Sequence, residues 1–318
     1  MNWRRGSRLG RIYKRIAGTS IPPTRGSPSK PGMKKTTSVL IIMAVAVVAV
    51  VIAGIVALVL GPTFSVTKQN FTPYSTPVSQ NSSSPSSLTV VDTNGGVTVT
   101  PWSQTNLLIN GTITARGVSA NPNSITFIKS NQSGEIVFQA VFPSRSSFFL
   151  STSYTVDINV YTPSSYQFRT AQATTVNGDV KFSSITASTV SVTTTNGQVS
   201  ASSVTASSLT LTATNGNIDF TCISCTNVIA TTTNGSVTAN LPLLVTGGTY
   251  TLAATNGNIG IRLPAAGSFK ITPNYTNGSV SSQDLSANLT NHVTSTFGLG
   301  SAVIVATTTN GSITVTGV

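Results

Sequence analysis

The stretch STVSVTTTNGQVSASSVTASSLTLTATNGNIDF, residues 188–220, decides the fold of this chain. It holds two copies of a unit in which apolar and polar residues alternate, reach Asn-Gly, and alternate again. Alternation at period two is typical of a β-strand that buries one face. Asn-Gly supplies the left-handed backbone conformations that a tight turn needs. The unit therefore predicts two short strands joined at a corner.

The unit recurs throughout residues 176–318, the predicted regular repeat region. Six successive asparagines, from Asn177 to Asn277, are spaced by 19, 19, 19, 22 and 21 residues. A nearly fixed period of this length indicates a β-solenoid, a parallel β-helix-like stack of coils. Asparagines at one corner would form a hydrogen-bonded ladder. The predicted turn residues are Asn177, Gly178, Asn196, Gly197, Asn215, Gly216, Asn234, Gly235, Asn256, Gly257, Asn277, Gly278, Asn310 and Gly311.

A β-sandwich built of antiparallel hairpins is the competing architecture, because Asn-Gly also marks hairpin turns. We prefer the solenoid, since hairpins give no reason for a 19-residue interval repeated three times. Residues 88–175 predict less regular β coils, and their large aromatic side chains suit the core of a cap better than a carbohydrate-binding platform. At the other end, the last unit, residues 309–318, is expected to leave an uncapped coil that favours self-association.

Residues 39–60, VLIIMAVAVVAVVIAGIVALVL, predict a transmembrane helix. At about 1.5 Å per residue, this run crosses a hydrocarbon core of about 30 Å. Residues 1–38 form a basic tail, which the positive-inside rule places in the cytoplasm. A cleaved signal peptide starting at Met33 and a type IV pilin-like leader are the alternatives. The run is longer than an ordinary signal core, and Thr36 stands where the leader would have Gly or Ala.

Between the span and the strands, residues 61–87 are rich in Ser, Thr and Pro. Such a composition buries too little apolar surface to order itself, so we expect a stalk. The whole chain carries a net charge of +12, but ten of its 18 basic residues precede Thr36. Because this charge belongs to the tail and not to a folded face, the sequence argues against a nucleic-acid-binding domain.

The sequence contains few residues suited to acid–base catalysis, since only 8% of the residues are charged and there is one His. Asp179 and Asp219 are two coils apart, which is too little evidence for a catalytic pair. We therefore expect no enzyme, no metal and no cofactor. Cys222 and Cys225 can be a redox pair, half a metal site or a disulfide, and outside the cytoplasm the disulfide is favoured. Nine N-x-S/T sequons make glycosylation a further expectation.

The order of these elements resembles a known family. LTVVDTNGGVTVTPW at 88–102, TVDINVYTPSSYQFRT at 155–170 leading into TVNGDVKF, and the later T-N-G-x-[VI] turns are similar to the putative adhesin family of Gly-turn β-solenoids. The resemblance covers about residues 88–318 and implies a β-solenoid at or outside the membrane, with no known active site. That family often has Gly-Asp at the turn, which only Gly178-Asp179 keeps here.

Together these features predict a single-pass membrane protein with a cytoplasmic N-terminus and an extracellular C-terminal domain. We expect a cell-surface role in adhesion or envelope interaction, with the lipid bilayer, surface glycans, envelope proteins or another copy of the chain as partners. Two alternatives remain open: a structural subunit of an extracellular filament or envelope lattice, and an accessory protein of an envelope-stress system.

Overall fold

The structure, a computed structural model, describes residues 48, 50–51, 64–79, 85–118, 120–144 and 152–318. The chain divides into two compact units, Met1–Gly61 and Pro62–Val318.

In the first unit, Val48, Val50 and Val51 have helical backbone, while the rest of the predicted span and the basic tail lie outside the described residues. No helix within the described part of the chain is both long and apolar enough to cross a bilayer.

The second unit confirms the prediction of an all-β, repeat-built fold. Its strands belong to one curled sheet, and a short 3-10 helix, η1, covers Pro122–Ser124. The strands are β1 Phe64–Asn70, β2 Tyr74–Pro77, β3 Ser87–Val91, β4 Val97–Trp102, β5 Asn106–Val118, β6 Thr126–Gln132, β7 Glu135–Val141, β8 Ser153–Pro163, β9 Gln167–Asn177, β10 Val180–Ser183, β11 Thr186–Asn196, β12 Val199–Asn215, β13 Ile218–Asn234, β14 Val237–Asn240, β15 Thr249–Asn256, β16 Ile259–Leu263, β17 Phe269–Asn277, β18 Val280–Gln283, β19 Ser295–Phe297, β20 Ala302–Asn310 and β21 Ile313–Gly317.

Two parallel ladders meet at the Asn-Gly corners. The entry ladder contains the strand segments that lead into a corner, in the spatial order β3, β9, β11, β12, β13, β15, β20 and β17. The exit ladder contains the segments that leave it, in the order β8, β4, β10, β12, β13, β14, β16, β21 and β18. Parallel pairing in constant register is the arrangement of stacked coils, and it is incompatible with a sandwich of hairpins.

The core runs between the two ladders and is filled by the apolar residues of the alternating pattern. In the entry ladder Val192 stacks on Leu211, and in the exit ladder Val199 stacks on Ile218. All four are at most 1% exposed. Burying each such side chain stabilises the fold by about 1.5–3 kcal/mol relative to leaving it in water. The period-two pattern that predicts the strands is therefore the pattern that builds the core.

The coils do not stack in the order of the sequence. The unit formed by β20 and β21 lies between the unit of β15 and β16 and the unit of β17 and β18. The expectation that residues 309–318 form an uncapped edge is therefore wrong. Sequence spacing gives the length of each coil, but it does not say on which neighbour a coil settles.

The outermost coil, β17 with β18, has its β17 edge covered. β19 pairs with Phe269–Ile271 in antiparallel fashion. Beyond it, the side-chain amide of Asn291 accepts from the N–H of Tyr275 at 2.8 Å and donates to the carbonyl of the same residue at 3.0 Å. This amide occupies the place of a neighbouring strand, which is one way in which proteins block an exposed edge.

The opposite end is closed by antiparallel strands. β5 pairs with β8 on one side and with β1 and β2 on the other, and β6 pairs with β7. Residues 61–87 are thus not a stalk throughout, because residues 64–77 supply β1 and β2, and Phe71 and Val78 are buried beside them. The composition argument fails here because a 13-residue strand, β5, offers these polar residues a ladder of backbone partners.

Candidate functional site

The Asn-Gly corners form a continuous side-chain ladder along the unit. Each corner Asn except the first, Asn177, donates from Nδ2 to Oδ1 of the Asn in the adjacent coil, and the six bonds measure 2.8–2.9 Å. Such amide stacks combine backbone and side-chain pairing in the same repeat. In spatial order the ladder contains Asn177, Asn196, Asn215, Asn234, Asn256, Asn310 and Asn277.

Glycine is required at the corners by contact between coils. A Cβ on Gly216 would lie 1.8 Å from the carbonyl oxygen of Gly197, and one on Gly257 would lie 1.9 Å from that of Gly235. The left-handed backbone conformation that the Asn-Gly motif predicts does not explain the corner glycines. No corner Asn has a positive φ, and among the corner glycines only Gly95 and Gly178 do. The glycine after each corner Asn therefore allows adjacent coils to stack closely.

A buried threonine hydroxyl lies beneath many of the corners, and it was not predicted from the sequence. Thr194 donates to the carbonyl of Gly178 at 2.9 Å, and Thr232 donates to that of Gly216 at 2.8 Å. The signal was the residue two places before each Asn, which is also threonine at Thr175 and Thr308. These hydroxyls satisfy corner carbonyls that face the interior.

Asp92 takes the place of this threonine in the coil of β3 and β4. Its side chain is 2% exposed, and neither carboxyl oxygen has a hydrogen-bond partner. Burial raises the pKa of Asp92 to about 7, and the negative charge of Asp157 adds to the rise. The backbone N–H groups of Thr93 and Asn94 oppose it without reaching ordinary hydrogen-bond geometry. Asp92 is thus a buried acid that holds its proton near neutral pH.

A second row follows the corner glycines, one residue further along the chain. Four of its side chains accept from the backbone N–H of the row member in the next coil. Asp179 accepts from Gln198 at 2.9 Å, and Asn217 accepts from Ser236 at 2.9 Å. At the β8 end Asp157 has the equivalent place and accepts from Gly96 at 3.1 Å. We call this the third-position row.

Gly96 is the member of the third-position row that lacks a side chain, and a groove of about 520 Å³ opens there. Asp157 and Asp179 flank the gap, and Thr98, Asn159 and Lys181 continue its wall. Arg169–Glu135, at 3.4 Å, is the single salt bridge within the described ranges. The charged groups of the groove are therefore not ion-paired and face solvent.

An aromatic pair extends the same outer surface away from the corner. Buried Ile158 and Val160 alternate with Asp157, Asn159 and Tyr161 along β8, so these last three point outward. The Tyr161 and Trp102 ring centroids are 5.7 Å apart. Both rings are partly exposed. The other aromatics of this region, such as Phe138 and Phe168, are in the core, as we expected.

The two cysteines are joined in a disulfide inside the unit. Cys222 and Cys225 are at most 1% exposed, and the Tyr250 hydroxyl donates to the carbonyl of Cys225 at 2.9 Å. Burial raises the pKa of Tyr250, which keeps this donor protonated. A buried bridge at one coil is suited to structure and not to redox exchange with a partner.

The remaining ionisable groups are dispersed. Asp219 accepts from the side-chain amide of Gln198, which separates it from Asp179. His292 contacts Asn274 at 3.0 Å. Within the described residues no three His, Cys, Asp or Glu side chains lie close enough to hold a metal ion.

The family Toastrack DUF4097 matches residues 78–316. The chain belongs to the Toastrack DUF4097 family. This Toastrack chain gives no significant match among curated proteins.

Three solved structures are similar to most of the Toastrack chain, at low sequence identity. A putative cell adhesion protein from Clostridium sporogenes is 11% identical, with a TM-score of 0.36, and covers 80% of this chain and 100% of its own. A putative adhesin from Bacteroides fragilis is 14% identical, with a TM-score of 0.34, covering 81% of this chain and 99% of its own. One from Parabacteroides merdae is 10% identical, with a TM-score of 0.33, covering 80% and 96%.

Proposed function

We propose that this Toastrack chain is a non-catalytic surface protein, anchored by residues 39–60, whose β-solenoid binds other surfaces in adhesion or envelope contact. The observation that carries the proposal is the outer face of the entry ladder. From β11 to β20 this face presents side chains without a single charge among the described residues. Such a face suits contact with an extended uncharged partner.

Threonine dominates this face. The row three residues before the corner Asn is Thr174, Thr193, Thr212, Thr231, Ala253, Thr307 and Asn274 in spatial order. The residue directly before the Asn is also threonine at Thr195, Thr214, Thr233, Thr255, Thr309 and Thr276. Adjacent coils are about 4.8 Å apart, and alternate residues along a strand are about 6.6 Å apart.

A repetitive hydroxyl array supports binding better than catalysis. Catalysis needs ionisable groups that converge on a reacting atom. Here Asp179 holds the backbone N–H of Gln198 with one carboxylate oxygen, and the side-chain amide of Gln198 donates to Asp219. Threonine hydroxyls and methyl groups, by contrast, offer weak contacts that add over many coils.

The filament alternative has less support. Filaments assembled end to end need an open strand edge. In the outermost coil the entry-ladder strand β17 is covered by β19 and by the side-chain amide of Asn291, so among the described strands only the four-residue β18 keeps an unpaired edge there. Lateral contact through the outer face of the entry ladder, which we call the entry face, therefore remains the better interpretation.

The test is attachment of non-adherent cells that display the full-length chain. We compare the chain with a variant carrying Thr193→Lys, Thr212→Lys and Thr231→Lys, which places three charges in one row of the entry face. The matched control carries Ser200→Lys, Thr238→Lys and Thr314→Lys on the exit ladder. We expect attachment of the first variant to fall to the background level, while the control attaches like the unmodified chain. Equal attachment of all three would exclude the entry face as the contact surface.

A further inference from the structure

We propose that the groove at Gly96 and the adjoining Trp102–Tyr161 pair form one binding site for a neutral oligosaccharide. The site lies on the outer face of β8, β4 and β10, away from the threonine rows of the entry face. The inference goes beyond the proposed adhesive function, because it assigns a ligand class to a second surface of the chain.

The opening exists because one residue breaks the third-position row. Most coils fill this position with Asp, Gln, Asn or Ser, whereas the first corner reads Asn94-Gly95-Gly96. A Cβ on Gly96 would make only ordinary contacts, at 3.4 Å to the carbonyl oxygen of Asp179 and 3.7 Å to Oδ1 of Asp157. Neither close stacking nor a positive φ requires glycine at this place. Its effect is to leave room between two carboxylates.

The polar groups of the groove are hydrogen-bonding partners for sugar hydroxyls. Asp157 and Asp179 each use one carboxylate oxygen to hold a backbone N–H of the row. The contacts hold both carboxylates in place at the wall of the groove and leave the second oxygen of each without a hydrogen-bond partner in the described part of the chain. Carboxylates accept hydrogen bonds from hydroxyls more strongly than neutral acceptors do. Asn159 and Thr98 add neutral donors and acceptors beside them.

The aromatic pair supplies the apolar half of the site. Tyr161 follows Asn159 by two residues on the same face of β8, a separation of about 6.6 Å. Thr100 of β4 is the register partner of Tyr161 and also points outward. One side of a pyranose ring carries C–H groups, which pack against the electron-rich face of an aromatic ring. From Asp157 to Tyr161 the surface extends for about 13 Å, enough for more than one sugar residue.

The charges disfavour an acidic ligand. Two carboxylates and one ammonium, that of Lys181, give the groove a net negative charge at pH 7. An acidic sugar would bring its own carboxylate close to Asp157 or Asp179, and like charges at short range repel. We therefore expect neutral oligosaccharides to bind and their uronic-acid counterparts to bind more weakly.

The test is titration of the purified full-length chain, produced in a host without N-glycosylation, with an oligosaccharide selected on a glycan array. Gly96→Ser fills the gap with the side chain found at Ser236 and Ser312. Tyr161→Thr removes one ring and keeps a strand-forming residue. The control is Ser279→Ala, in the same row at the far end of the solenoid. Thermal unfolding of each variant verifies that it is folded.

We expect neutral oligosaccharide binding to the unmodified chain, weakened about tenfold or more by Gly96→Ser and by Tyr161→Thr and unchanged by Ser279→Ala. Binding should also persist in EDTA, because the carboxylates contact the sugar directly. The inference is overturned if the array yields no neutral ligand, if Gly96→Ser binds as well as the unmodified chain, or if EDTA abolishes binding.

Cell attachment separates this inference from the proposed function. If Gly96→Ser loses the oligosaccharide but still attaches to surfaces, the groove is a sugar site and adhesion depends on the entry face. If the variant with Thr193→Lys, Thr212→Lys and Thr231→Lys loses attachment and still binds the oligosaccharide, the two surfaces act independently. In both cases the sugar site stands.

Discussion

Asn310 donates from Nδ2 to Oδ1 of Asn256 at 2.8 Å, although 54 residues separate the two in sequence. On its other side Asn310 accepts from Asn277 at 2.9 Å. The bond pair shows that the amide ladder follows the spatial order of the coils and not the order of the chain. A single interaction type thus runs without interruption through a rearranged stack.

The ladder should contribute measurably to stability. Asn234→Ala removes one bond to Asn215 and one from Asn256. Because partly exposed amide bonds contribute about 0.5–1.5 kcal/mol each, we expect a loss of about 1–2 kcal/mol in the free energy of unfolding. Urea denaturation measures it. Thr231→Ala, on the same strand but outside the ladder, is the control, and an equal effect of both would argue against the ladder.

The corner glycines should be far more sensitive than other glycines. In Gly216→Ala the new Cβ meets a carbonyl oxygen at 1.8 Å, so two coils must separate. We expect a loss on the order of 4 kcal/mol or failure to fold. Gly260→Ala is the matched control, because a Cβ there meets nothing within 4 Å. A soluble Gly216→Ala variant as stable as the unmodified chain would contradict the prediction that close contact between coils requires glycine at this corner.

Asp92 should make stability depend on pH. Its pKa rises from 3.8 to about 7 on folding, so the folded state binds the proton more tightly than the unfolded state. The stabilisation is present below pH 4 and is lost as the pH rises through about 7. By linkage the difference across this window is on the order of 4 kcal/mol.

Asp92→Thr provides the test of that dependence. The replacement introduces the residue found at the equivalent positions Thr175 and Thr194, whose hydroxyls reach corner carbonyls. We expect the variant to be more stable at pH 8 and to have a nearly flat profile between pH 5 and pH 8. Denaturation series at several pH values measure both effects, and an unchanged pH profile would assign the dependence to another group.

The disulfide should contribute modestly. It closes a loop of four residues, for which the chain-entropy relation gives about 2 kcal/mol. We expect a double Cys222→Ala, Cys225→Ala variant to remain folded with a correspondingly lower midpoint in urea. Mass spectrometry after alkylation in denaturant without reductant should show no modified cysteine in the unmodified chain. Two alkylated cysteines in that experiment would contradict the bridge.

The sequence predicts what repeats and fails where the chain departs from the repeat. The interval between corners identifies the coils, and the alternation around Val192 and Leu211 identifies the core. The placement of β20 beside β15 was not predictable, because every coil presents nearly the same edge to its neighbours. Strands β1 and β2 were missed because their stability comes from pairing with β5, which is distant in sequence, and not from their own composition.

The candidate sites divide in the same way. The corner residues and Cys222–Cys225 were recognisable from motifs, although the reason for the corner glycines was wrong. Asp92 and Gly96 were visible only as deviations from the repeat, in the segment DTNGG at 92–96, where the other corner units have threonine, alanine or, once, tyrosine and a longer third residue. Reading such exceptions requires knowing which positions face inward, and that information comes from the registers of the strands.

The insertion of β20 and β21 also sets the order of assembly. A chain whose coils stack in sequence can complete each one as it leaves the ribosome. Here β15 and β16 pair early with β13 and β14 on one side but lack their neighbours on the other until the residues from Ala302 onward have been synthesised, and β17 and β18 must wait for the same segment or move aside for it. Co-translational folding of this chain is therefore expected to pause at β16 and to finish in one late step that joins both sides of the gap.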